Sequence, residues 1–284
     1  MLITKFLDPK NDIAFRKIFG SEKNKDILIH FLNDMITFKQ GKPIVSVTFL
    51  KTIQDPEAAA KKTSIVDILC EDQDKNSYVV EMQVAQHSGF EKRAQYYAAK
   101  AYINQMEKGG IYENLKEVIF IAIADFIMFR DKKAYKSDHI IFDRENGQHD
   151  LKDFSFTFLE LPKFKKEKHQ LTTMIEKWAY YFKHADETRQ EDLQQIFEND
   201  EIILKAYDEL DRFHWKDEEL RAYEQELKRD MDNQAILDFQ LAAAEAKGRN
   251  ERALEMAKSL KHKGLDISLI AETTELTIEE IEKL

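Results

Sequence analysis

A single cysteine, Cys70, leaves this 284-residue chain without an intramolecular disulfide or a Cys-rich zinc site, which fits a reducing cytoplasm. Set in a segment rich in Val and Ile, Cys70 reads as a small core residue. Four prolines and eight glycines are few for this length, while charged residues make up 34%. That combination favours long exposed helices. No apolar stretch approaches the roughly 20 residues that cross a bilayer, and the N-terminus lacks the apolar core of a signal peptide. We therefore expect a soluble, cytoplasmic protein with no membrane partner. The histidines, His87 and His139 among them, lack zinc-binding spacing, and no Gly-rich loop is present to cradle phosphates. His-based metal hydrolysis and ATP use are thereby disfavoured. The net charge of −10 argues against coating nucleic acid by bulk electrostatics, but not against basic residues clustered around an acidic site. Lys61-Lys62, Arg16-Lys17, and Lys163 with Lys165, Lys166 and Lys168 are either such patches or solvated faces.

What is present falls into three stretches. Asp8-Pro9 reads as a helix start, with Asp8 capping free amides and Pro9 at the first helical position. Phe15, Ile18 and Phe19 recur at helical spacing up to Gly20. A second helix follows with Ile27, Leu28, Phe31, Leu32 and Met35 inward. Residues 43–53 alternate as a strand, residues 90–108 return to helical spacing, and Val118 to Ala124 is a continuous apolar run, the mark of a strand buried on both faces. Ile140 to Phe142 and Phe154 to Phe158 read as strands joined through a turn at Asn146-Gly147. Helices, three strands, a helix and a buried strand imply an α/β or α+β core covered by helices. From about Leu171 to Lys263 the chain reads as helical, with Met174, Ile175, Trp178, Tyr181 and Phe182 as one buried stripe. The last residues, Asp266 to Leu284, read as two short helices, with Leu269, Ile270 and Ala271 inward and a capping box at Thr277 and Glu280. Their cadence is that of a helix-turn-helix, but Ile278-Glu279-Glu280-Ile281-Glu282 would be repelled by phosphates, so a protein-contact or dimerisation element is expected.

The chemistry concentrates in two short apolar segments. Ser64 to Cys70 and Tyr78 to Val84 flank a polar stretch and read as a β-hairpin. With a turn centred on Asp74, Asp67 falls across from Glu81 on one side of the sheet, and Gln83 shares that side with Glu81. Facing carboxylates inside apolar strands repel unless neutralised. One reading is a hard divalent cation such as Mg²⁺, held by Asp67, Glu81 and the backbone carbonyl of Met82, with Gln83 positioning a water. The other is a charged, half-exposed hairpin whose carboxylates contact Arg or Lys neighbours.

A resemblance bears on that choice. The stretches Asp8 to Gly20, Val66-Asp67-Ile68, Val80-Glu81-Met82-Gln83, Arg93 with Tyr96-Tyr97, Tyr102 with Gln105, Val118 to Phe126 and Leu159 to Lys163 occur in an order that resembles the PD-(D/E)XK nuclease superfamily. More narrowly, the chain is similar to the Rpn family of recombination-promoting nucleases, also classed with transposases. The resemblance covers roughly the first 165 residues. It implies a restriction-endonuclease-like core, a mixed central sheet flanked by helices, over residues 1–165, followed by a helical region over 166–263 and a helix-turn-helix-like tail over 264–284. It further implies a metal-dependent DNA endonuclease in recombination or mobile-element and phage biology. Asp67 and Glu81 would be metal ligands, Asp12 an assisting acidic residue, and the metal Mg²⁺, with Mn²⁺ or Ca²⁺ as alternatives. DNA would be the partner, and a homodimer through the helical C-terminal region is expected. The wider superfamily usually carries Lys where this chain has Gln83, the form expected in Rpn-like sequences, which leaves open either weak activity or another cation, Lys100 or Arg93, in that role. The competing reading is a catalytically weak DNA-binding or regulatory protein that keeps the fold and acts through its C-terminal helices. Integrase-type strand transfer would need a carboxylate placement not found here.

Overall fold

The computed structural model describes residues 4–36, 43–51, 66–86, 88–106, 109–197 and 200–284. The Lys61-Lys62 patch lies outside them. Two compact units are present, Met1–Glu224 and Gln225–Leu284.

The first unit is built on a six-stranded sheet of order β1-β2-β3-β4-β6-β5. Its strands are β1 (Val47–Phe49), β2 (Ile68–Asp72), β3 (Ser77–Gln83), β4 (Val118–Ala124), β5 (Lys136–Ile140) and β6 (Phe154–Glu160). Strands β1, β2 and β3 pair antiparallel, β3, β4 and β6 run parallel, and β5 closes the far edge antiparallel. The parallel step from β3 to β4 requires a crossover, supplied by helix α3 (Phe90–Ile103). A mixed sheet flanked by helices is the restriction-endonuclease-like α/β core that the family resemblance implied.

Strand alternation divides the core between the two faces. On one, Ile119, Ile121 and Ile123 of β4 pack with Tyr78, Val80 and Met82 of β3. That face is covered by α1 (Asp12–Phe19), α2 (Lys25–Met35), α4 (Met174–His184) and α6 (Glu201–Leu210), through Phe15, Phe19, Phe31, Trp178, Phe182 and Tyr207. On the other, Phe120, Ala122 and Ala124 lie beneath Ala94, Ala98 and Ala101 of α3. Small residues on both surfaces bring α3 close to β3 and β4. Helices α4 and α6, from the stretch expected as a separate helical region, share the core of this first unit. The short α5 (Gln190–Phe197) precedes α6.

Several local expectations shift. Helix α1 begins at Asp12 rather than at Pro9, because Asn11 is the residue whose side chain accepts from the amides of Ile13 and Ala14. Asp8 instead closes a turn onto the amide of Lys10 at 2.9 Å. Strand β5 ends at Ile140, so Ile141 and Phe142 fall outside the ladder. The strand expected over residues 43–53 is confined, among described residues, to Val47–Phe49.

Helix α7 (Asp217–His262) begins in the first unit and continues through most of the second. In the second unit, α8 (Ile267–Thr274) and α9 (Ile278–Glu282) follow, the latter opened by the Thr277/Glu280 capping box. Ile270, Leu276 and Ile281 form a small core with Ala257. Leu269, expected inward, is exposed, since its neighbour Ile270 takes the core position. No described helix is long and apolar enough to cross a membrane.

Candidate active site

The site forms at the end of the β2–β3 hairpin, where β2 begins and β3 finishes. The pairing Ile68↔Val80 to Glu71↔Ser77 centres the hairpin on Asp74, and continuing it by one residue sets Asp67 opposite Glu81. Because the β2 ladder starts at Ile68, the amide of Met82 has no backbone partner there. The Asp67 side chain takes that role, its Oδ2 accepting from the Met82 N–H at 2.9 Å. The Asp67 carboxylate is thus fixed by a backbone bond at a strand end, where no ladder partner competes for it. Its other oxygen, Oδ1, accepts from Arg16 Nη2 at 2.8 Å.

Glu81 lies deeper, 3% exposed and set against the small Ala122 of β4. Its Oε2 accepts from Gln83 Nε2 at 3.0 Å, with Arg93 Nη2 of α3 at 3.8 Å. Its Oε1 is buried without a hydrogen-bond partner. Burial first, and the facing Asp67 carboxylate second, push Glu81 up to about 8, against the opposing pull of Arg93. Burial and a facing like charge are the two causes that raise carboxyl pKa values in active sites, and in structural networks as well.

Gln83 shares the sheet face of Glu81. Its Nε2 bridges two acceptors, Glu81 Oε2 at 3.0 Å and the Met82 carbonyl at 2.9 Å. Since both are acceptors, the amide nitrogen must face them. Asp12, in the first turn of α1, acts electrostatically on both Glu81 and Arg16. It does not complete a metal cage: among the described residues no three His, Cys, Asp or Glu side chains cluster to hold an ion. What the site offers is an all-oxygen set, two carboxylates and the Met82 carbonyl, with one buried carboxylate oxygen left without a donor. That set fits a hard divalent cation carrying water in its remaining positions, and it does not suit a thiolate- or imidazole-preferring metal.

The sequence offered Arg16 as half of a basic pair, either a patch at an acidic site or a solvated face, and the structure sets it on Asp67. The signal was there: it follows Asp12 by four positions and so shares its face of α1. Of the two cations proposed on α3, Arg93, and not Lys100, reaches Glu81. Arg93 is held over the rings of Phe90 and Tyr97. Gln105 is structural, its side chain donating to the Lys116 carbonyl and accepting from the Lys116 amide. The lysines after β6 are largely committed to carboxylates: Lys163 to Glu160, Lys166 to Glu176 and Lys168 to Asp192. Lys17 pairs with Glu219 over the Trp215 ring.

A mixed sheet bearing an Asp at one strand end and a Glu-x-Gln on the next defines a PD-(D/E)XK-type fold. Residues 9–240 match the family described as PD-(D/E)XK nuclease family transposase, and the chain belongs to that family. Neither the comparison with curated proteins nor that with solved structures gives a match.

Proposed function

We propose that this protein is a DNA endonuclease that hydrolyses phosphodiester bonds with a divalent cation, most simply Mg²⁺. The observation that carries this reading is the pairing of Glu81, buried with an unpartnered Oε1, against Asp67 at the open end of the hairpin. Arg16 on Asp67 and Arg93 at 3.8 Å from Glu81 offset the pair from its edges and leave Glu81 Oε1 without a donor, and the oxygen set suits a hard cation. Asp67, Glu81 and the Met82 carbonyl would hold the ion, which would supply polarisation of the phosphodiester and a more acidic bound water. Met82 N–H orients Asp67, and Arg93 limits the field around Glu81. Gln83 spends its two amide hydrogens on Glu81 Oε2 and the Met82 carbonyl, so its own carbonyl oxygen would be the atom that accepts from a water and orients it. Asp12 adds negative charge at the rim, which favours cation capture.

The test is incubation of plasmid DNA with the full chain and Mg²⁺ or Mn²⁺, with chelator as control. Cleavage should require metal and be lost in Asp67→Ala and Glu81→Ala with folding retained. Absence of cleavage with every divalent metal would favour the other reading, a DNA-binding or regulatory protein keeping a quiet nuclease fold. Cleavage undiminished in both variants would refute the site.

A pairing of two copies through the helical C-terminal region belongs to the same reading. It is supported by the exposure of Ile236, Leu237, Phe239 and Leu241 along α7. Apolar side chains gathered on a solvent-facing helix are the usual mark of an interaction surface.

A further inference from the structure

Three oxygens of the site, each suited to a cation, are held by N–H donors from the chain itself. Arg16 Nη2 lies 2.8 Å from Asp67 Oδ1, and Gln83 Nε2 spans Glu81 Oε2 and the Met82 carbonyl at 3.0 and 2.9 Å. Of the carboxylate oxygens at the centre, Glu81 Oε1 is the one with no donor. Arg16 differs from Gln83 in charge and in freedom. It stands on the first helix at the rim, its side chain 44% exposed, whereas Asp67 beside it is only 7% exposed. The negative charges acting on Arg16 are Asp67, Asp12 and Glu81, so it sits in the field of the whole acidic cluster.

We propose that Arg16 is a substrate-binding residue with two partners: it neutralises Asp67 while the site is empty of cation, and passes to a DNA phosphate once Asp67 is taken. This rests on the functional reading above. The physical reasons are three. A cation at Asp67 Oδ1 and a guanidinium at 2.8 Å from the same oxygen compete for one position and repel each other. An exposed arginine released at the mouth of the site has a planar fork matched to phosphate oxygens. Gln83, which bridges Glu81 and the Met82 carbonyl, is neutral and brings no positive charge to a phosphate. Arg16 supplies it from α1, and the resting ion pair keeps Asp67 oriented until then.

The experiment titrates the full chain with Ca²⁺ alone by calorimetry, comparing wild type, Arg16→Gln and Arg16→Lys. Removing the competitor should tighten Ca²⁺ binding by about fivefold in Arg16→Gln, the scale of a half-exposed ion pair, while Arg16→Lys stays near wild type. Affinity for a short DNA duplex is then measured against salt, with and without Ca²⁺, cleavage being checked on the same samples. With Ca²⁺, Arg16→Gln should show a slope shallower by about one phosphate contact, and without it the slopes should coincide. Ca²⁺ binding that is unchanged or weaker in Arg16→Gln overturns the inference, as does a slope difference that ignores Ca²⁺. A wild-type chain that takes up no Ca²⁺, Mn²⁺ or Mg²⁺ instead removes the functional reading itself.

Discussion

Replacing Glu81 with Gln isolates the electrostatic cost of the site, because the carboxamide keeps the shape and can still accept from Gln83 Nε2. In the metal-free protein Glu81 holds its proton until about pH 8, whereas in the unfolded chain it ionises near its ordinary value of 4.5. Between those two values the folded state therefore binds a proton that the unfolded state has released. Stability must fall as pH rises through that window, then level off above it. Each pKa unit corresponds to about 1.4 kcal/mol, so the raised pKa sets a ceiling of roughly 4 kcal/mol between pH 5 and pH 8. Relaxation around a buried carboxylate reduces this, and we expect about 2–4 kcal/mol. The Gln variant has no such dependence. Urea unfolding in chelator should show the two proteins nearly equal near pH 5, with the variant more stable by that amount near pH 8. A difference that stays flat across this range, or one of opposite sign, would refute the assignment of Glu81 as a buried, proton-holding carboxyl. If the site binds a cation as proposed, divalent metal should raise the wild-type Tm near pH 8 and the same variant should lose that rise, since the proton and the cation compete for one carboxylate.

The remaining predictions concern the scaffold and the assembly. Glu160 is fully buried at the end of β6, where Oε1 accepts from the amides of Met128 and Phe129 and Oε2 accepts from Lys163 Nζ at 2.7 Å. Lys163→Met should strand that charge and cost about 3–5 kcal/mol in urea unfolding, and a loss below about 1 kcal/mol would show that the pair is not needed. In light scattering, a double change of Leu237→Glu and Leu241→Glu, two exposed apolar positions one turn apart on α7, should halve the mass of a paired species, and an unaltered mass would remove the pairing reading.

Where sequence and structure agree, the signal was local and periodic. Every residue assigned to the inner face of α2, from Ile27 to Met35, is buried, because apolar spacing of three and four selects one side of a helix whatever it packs on. The apolar run in β4 predicted burial on both faces, and all seven residues are buried. The hairpin register followed from alternation and the position of its turn. Disagreement arose where two local signals competed. Asp8 and Asn11 are both helix-capping residue types, but the segment before α1 is tied down through Leu7 N–H to the Leu210 carbonyl and Asp8 N–H to Tyr223 Oη. Those remote contacts leave Asn11, not Asp8, at the helix start. In α8 the spacing admitted both Leu269 and Ile270, and packing against Ala257 chose Ile270.

Sequence alone therefore determined that Asp67, Glu81 and Gln83 lie on one sheet face, because a strand's two-residue period and a short turn fix direction without reference to anything distant. Tertiary structure decided what these groups experience. Glu81 is raised because α3 closes over Ala122 and shuts out water, and Asp67 is oriented because β2 starts one residue late and leaves the Met82 amide for it. Arg16 reaches Asp67 across 51 positions of sequence. Burial and long-range ion pairing depend on which surfaces meet, and no local periodicity encodes that.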